Sequence, residues 1–210
     1  MSLFDNLKNR QQLKKETANA EQIKNGMYAS WNNLIQEYNT RLAPGGQPFE
    51  HSENGDVQWQ HILQNYNGQS YSVGAVKITS TPNQEPLYEF LLVYPQQDGQ
   101  TASQYYSMSA MGNFSNDRGL ATFNIGYISQ INGTEVPCSA QIPVSTQDLL
   151  NLNNTSLTPR VTPAISSINP SACMPNINEI YTIIGEFCRV NNINQNIQHN
   201  ETTSDFMPGR

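Results

Sequence analysis

From Ile23 onward, apolar side chains recur at steps of three and four: Ile23, Met27, Trp31, Leu34, Ile35, Tyr38 and Leu42, with Tyr28 widening the stripe. That period predicts one helix with a single face turned inward. Each such side chain contributes roughly 1.5–3 kcal/mol when fully buried, so this helix is expected to be a major anchor of the core. Pro44, Gly45, Gly46 and Pro48 then stop it. Ahead of it, Ser2 with Asp5 three places on reads as a helix cap. Leu3 and Leu7 share a face, but Gln11 and Lys14 follow on it. Residues 1–22 therefore predict a polar, basic, helical arm. Gly26 costs about 1 kcal/mol in a helix interior and is expected to mark the break between arm and core helix.

Residues 49–143 change period. Val57, Trp59, His61 and Leu63 alternate with polar neighbours, and Tyr71, Val73 and Ala75 resume the alternation beyond Asn67-Gly68, a pair suited to a type I′ hairpin. Further strands are predicted over Leu87–Tyr94, Tyr105–Met111, Leu120–Ile131 and Thr134–Ile142, the last two flanking a second Asn-Gly pair at Asn132-Gly133. Short connections favour an antiparallel meander over crossover units. Ser145 with Asp148 opens a short helix. Residues 153–175, with Pro159, Pro163, Pro170 and Pro175, read as an extended connector. It is expected to lie across the body, because Val161, Ile165 and Ile168 are too apolar for a free linker. Asn176 with Glu179 caps a final helix whose Ile177, Ile180, Ile183, Ile184, Phe187 and Val190 keep helical spacing. The expected fold is thus α+β, an antiparallel meander of about five or six strands packed by an N-terminal amphipathic helix and a C-terminal helix. One domain spans 23–192, and the Asn-rich residues 193–210 are expected to be a disordered tail.

Composition changes what this surface can do. The chain holds 26 Asn and 19 Gln among 210 residues, while charged residues make up only 13%. Partners should therefore be held by apolar and amide contacts. A net charge of −6 argues against binding nucleic acid, which needs clustered Lys and Arg. Charge is unevenly placed. Residues 1–25 carry five cations against three acids, leaving six against fourteen in the remainder. The longest apolar run, Phe90 to Tyr94, is far short of the ~20 residues that span a bilayer, so no transmembrane segment is predicted. The polar start shows no secretory pattern, which predicts a soluble chain that stays where it is made. Cys138, Cys173 and Cys188 form no C-x-x-C pair and read as free thiols, Cys188 as a small core residue.

Candidate chemistry is sparse. His51, Glu53 and Asp56 cluster around the Asn54-Gly55 turn, with His61 in the next strand, but they lack the spacing of a metal-ligand set. The three histidines leave few general bases, and neither a nucleophile elbow nor a phosphate loop occurs. Glu85 and Glu89 read as strand-end surface residues. No catalytic, cofactor or metal residue is assigned. Aromatics are the more informative group, since tyrosine on a polar sheet face makes a binding surface. The candidate partner-binding residues are Leu3, Phe4 and Leu7 on the arm and Tyr105 and Tyr106 on the sheet. A complex held mainly through such contacts should survive 0.5 M salt; release at modest salt would point to the basic arm.

The start MSLFDNLKNRQQLKK, the Asn and Gln excess and the length resemble bacterial secretion chaperones and adaptors, more narrowly the LvgA-type adaptors of the Dot/Icm type IVB secretion system. That resemblance implies a cytoplasmic, non-enzymatic protein. It would bind the C-terminal part of a coupling ATPase beside the small acidic IcmS–IcmW pair and help recruit effectors. Two other functions are weighed behind it. One is a small hydrolase or ligand-binding enzyme whose carboxylate site is invisible in sequence, and the other is a phage or surface structural component.

Overall fold

In the computed structural model, residues 3–37, 57–66, 69–78, 86–95, 100–112, 114 and 119–193 are described, with 3–6, 57–66 and 69–78 among those described by backbone alone. Helix α1 spans Leu3–Glu37. Six strands follow: β1 Val57–Tyr66, β2 Gln69–Ile78, β3 Leu87–Pro95, β4 Thr101–Gly112, β5 Leu120–Ile131 and β6 Thr134–Ser145. A short helix α2 (Thr146–Leu150), strand β7 (Arg160–Pro163) and helix α3 (Ile177–Val190) follow. All seven strands form one antiparallel sheet in sequence order, β1 through β7, so the expected α+β meander is what the chain builds.

Turn chemistry sets the register. Ile131 pairs with Thr134, and the intervening Asn132 and Gly133 take φ of 50° and 77°, the positive values that an Asn-Gly hairpin supplies. Tyr66 pairs with Gln69, leaving only residues 67–68 between β1 and β2. The connector expected over 153–175 contains the seventh strand. Val161 pairs with Ala140 and Thr162 with Ser139. Prolines 159 and 163 bracket this short edge strand, a position where a missing N–H costs no ladder bond.

With every second residue facing the same side, the sheet has two unlike faces. On one, Phe90, Met108, Phe123, Ile125 and Ile142 are fully buried against Ile180, Ile183, Ile184 and Phe187 of α3. Phe187 meets Tyr88 and Phe123 edge-on, at centroid distances of 5.1 and 5.2 Å. Asn176 caps α3, its side chain accepting from the amide of Asn178 at 3.1 Å. The Tyr127 hydroxyl donates to the Cys173 carbonyl at 2.6 Å, and Tyr181 donates to Thr155 while accepting from the Leu157 amide at 3.0 Å. The connector is thereby fastened to both β5 and α3.

The opposite face carries α1 and a smaller cluster, Leu34 with Leu91, Val93 and Tyr105, flanked by Met27, Trp31 and Ile35. The expectation that this helix would be a major anchor of the core is met only by that smaller cluster, and α3 holds the larger one. Five apolar α3 side chains are buried, Cys188 and the larger Ile180, Ile183, Ile184 and Phe187, these four at roughly 1.5–3 kcal/mol each. On the α1 stripe, Leu34 is buried, Met27, Trp31 and Ile35 are partly covered, and Ile23 is 41% exposed. The break expected at Gly26 does not occur either, since α1 runs through it without interruption. Nothing lies within 4 Å of where a Gly26 side chain would begin, so the glycine serves no close approach, and helix-forming neighbours outweigh its cost. Ser2, Tyr38, Leu42 and the 43–48 stop lie outside the described residues.

Candidate interaction surface

Ahead of the Leu34 cluster, polar side chains latch helix α1 to the body at Glu16 and around Tyr28. The carboxylate of Glu16 accepts from the amide and hydroxyl of Ser166, just past β7, at 3.1 and 2.9 Å. These bonds, after that from Gln12, hold the Glu16 carboxyl below its ordinary range. Three turns on, the Tyr28 hydroxyl donates to Glu135 on the β5–β6 hairpin, and Gln130 donates to the same carboxylate at 3.1 Å. Hydrogen bonding to Glu135, followed by burial, pushes the Tyr28 phenol up to about 12. Lys24 sits 2.8 Å from Glu21 and 4.0 Å from Glu135. Ala20, between the two latches, is buried. Beside it Ile23 and Met27 roof a pocket of about 280 Å³ floored by Ser107, Gly126, Pro137 and Ser139.

Everything N-terminal to Glu16 is different. Residues 7–15 are exposed on every side of the helix, Leu7 at 52% and Leu13 at 46%. Leu13 continues the stripe that carries Ala20, Met27 and Leu34, seven residues apart, but past the last latch to the body. The expected arm is therefore the uncovered start of one long helix. Of its candidate contacts, Leu7 is on the surface, whereas Leu3 and Phe4 have helical backbone and side chains outside the described set.

Tyr105 and Tyr106 do not belong to a binding surface. Successive residues of β4 point to opposite faces, and both faces are covered there. Tyr105, 4% exposed, lies under α1, donates to Glu89 at 3.0 Å and hydrogen-bonds Ser30. Burial first, then the Glu89 charge, raises its phenol well above the ordinary range. Tyr106, 2% exposed, lies under α3 and donates to Glu179. Glu89, read as a strand-end surface residue, is accordingly half-buried as the acceptor of Tyr105. Exposed apolar groups sit elsewhere on the α1 face, at the end of the sheet beyond the helix: Leu87, Met111 and Leu120. Beside them Gln141 donates to Asn124 at 3.4 Å, part of the amide-rich surface the composition predicts.

Sequence reasoning also missed two buried acids on α3. Glu179 is 5% exposed and receives Tyr106 and, at 3.3 Å, the Asn176 amide. Burial raises its carboxyl despite those two bonds. Glu186 is fully buried, paired with Arg189 at 3.3 Å, and pushed by burial up to about 7. Glu179 reads in the sequence only as the capping partner of Asn176, and for Glu186 the one sequence signal is its position between Ile183 and Phe187 on the inward face. A carboxyl near 7 has the acidity of a general acid, but Glu186 offers no surface to a substrate. All three cysteines are buried and free, and the Cys138 thiol is pushed up to about 12 by burial and by its hydrogen bond with Cys173.

Among the described residues, no group of three or more His, Cys, Asp or Glu side chains could hold a metal, and no helix is long and apolar enough to cross a membrane. His51, Glu53 and Asp56 and the side chain of His61 lie outside those residues. No family model, curated protein or solved structure matches the chain.

Proposed function

We propose that the chain is a non-enzymatic protein-binding subunit, a cytoplasmic adaptor that joins a larger assembly through its N-terminal helix. The observation that supports this reading is the run of exposed residues 7–15 on α1, which have helical backbone yet no cover from the described body. An isolated helix of that length is marginal in water, and helices in proteins draw most of their stability from packing a face. A partner supplies what the body does not. Among the described residues, the two buried acids Glu179 and Glu186 are committed to Tyr106, Asn176 and Arg189 within the core.

In its finer form the proposal is an LvgA-type adaptor that binds the C-terminal segment of a type IV coupling ATPase and helps recruit effectors. That form rests on the sequence resemblance alone. The test is purification of the tagged full chain from its native host, in parallel with a version lacking residues 1–15. A stoichiometric protein partner that is retained by the full chain and lost with the deletion is the expected result. Recovery of the full chain alone would overturn the adaptor reading, and a partner other than a coupling ATPase or its chaperones would overturn the finer form.

A further inference from the structure

The sheet-facing stripe of α1 and its outward face differ in charge as well as in cover. With 3.6 residues per turn, Leu7 lies roughly 150° around the helix from the Ala20–Met27–Leu34 stripe. Arg10, Gln11 and Lys14 follow Leu7 at three, four and seven residues, and so share its side; Lys8 and Lys15 lie together along one edge of it. All six are exposed. From Asn6 to Lys15 the sequence holds four cations and no acid, in a chain whose net charge is −6. The Glu16 carboxylate that follows is engaged by Gln12 and Ser166.

Two classes of anionic surface could meet this face, and the placement of Leu7 separates them. Helices that lie on membranes keep a broad apolar face apart from a basic one. Here Leu7 sits among Arg10, Lys14 and Lys15 while exposed Leu13 lies about 120° around the helix, so the apolar side chains of residues 7–15 form no broad face apart from the charge. An apolar anchor within a charged surround is how protein interfaces place a hot spot within a polar rim. Tyr105 and Tyr106 are buried, so the salt-resistant aromatic contact expected from the sequence has no surface in these residues.

We infer that the outward face of α1 around Leu7, Arg10, Lys14 and Lys15 docks an acidic helical segment of a partner protein that carries an apolar side chain for Leu7. This deepens the adaptor reading and rests on it. The arm interface is steered by charge, and its affinity falls with ionic strength.

The test uses the purified full chain and, as probe, a fluorescein-labelled 21-residue helical peptide of leucine–glutamate heptads, titrated at 50 and 300 mM salt. Binding that weakens at least tenfold between those salts, weakens about fivefold in Leu7→Ala, and disappears in the R10E/K14E/K15E variant is expected. Circular dichroism of both variants confirms that the fold is retained, since none of these side chains touches the core. Absence of peptide binding, or binding unchanged by charge reversal, would overturn the proposal. So would tighter binding to vesicles of 30% phosphatidylserine than to the peptide, which would make the face a lipid contact. The adaptor reading fails separately: a stoichiometric partner that R10E/K14E/K15E still retains leaves that reading standing and removes this one.

Discussion

The hydroxyl of Tyr106 on β4 and the carboxylate of Glu179 on α3 join the two layers of the main core, in a place where neither reaches water. Tyr106→Phe removes one of the two donors, Tyr106 and Asn176, that serve that carboxylate. Leaving a buried acceptor short of a donor costs about 1–3 kcal/mol. Burial already raises the Glu179 carboxyl, and losing a donor to the charged form raises it further. The destabilisation should therefore be larger at pH 8, where the unfolded chain's carboxyl is ionised, than at pH 3, below the ordinary carboxyl range and the raised folded one alike. Urea unfolding of the variant and the parent at the two pH values measures this; equal loss at both would contradict the assignment.

Glu186 gives the chain a second dependence on pH. Its folded value of about 7 stands above the ordinary 4.5. Between those values the folded chain holds a proton that the unfolded chain has lost, so the stabilisation is complete below about pH 4.5 and falls away as pH rises through 7. The difference amounts to about 3 kcal/mol by linkage. Glu186→Gln should be flatter than the parent in a plot of unfolding free energy against pH from 5 to 8. Parallel curves would show that Glu186 ionises as freely in the fold as outside it.

Much of this architecture was legible because turn and periodic signals act locally. Asn132-Gly133 fixed a hairpin through positive φ, and the Ile180–Phe187 spacing marked the face of α3 that the core needs. What could not be read depends on which layer lies over which face. Alternation places Tyr105 and Tyr106 on opposite sides of β4 but does not say that α1 covers one and α3 the other. Glu179 and Glu186 look like polar helix positions until Tyr106 and Arg189 are seen beside them. The split of α1 at Gly26 failed for a different reason: a cost of about 1 kcal/mol is small against 35 residues of continuous helix.

Gly112 ends β4 at a φ of +143°, and a side chain there would begin 2.7 Å from the Leu120 carbonyl oxygen and 2.9 Å from the Ala121 Cα. Both obstacles are backbone of the paired strand and cannot rotate away. Gly112→Ala should therefore destabilise by about 1–3 kcal/mol, through strained backbone and overpacking together. Thermal unfolding measures it; a midpoint equal to the parent's would mean that the β4–β5 end can shift without cost.

The arm and the packed part of α1 should differ in hydrogen exchange. Residues 7–15 have no cover, whereas Ala20 and Leu34 are buried. Amides of the arm should exchange many times faster than those of 20–35 in the free chain. Uniform protection along α1 would mean that the arm needs no partner to be stable.

Whether the arm is the docking element is decided by comparing that exchange in the free chain and in the complex purified with its stoichiometric partner. Slowed exchange confined to residues 7–15 is the predicted result, because the partner docks on that stretch of helix. Protection that appears only around Leu87, Met111 and Leu120, with the arm unchanged, would contradict it and move the interface to the open end of the sheet.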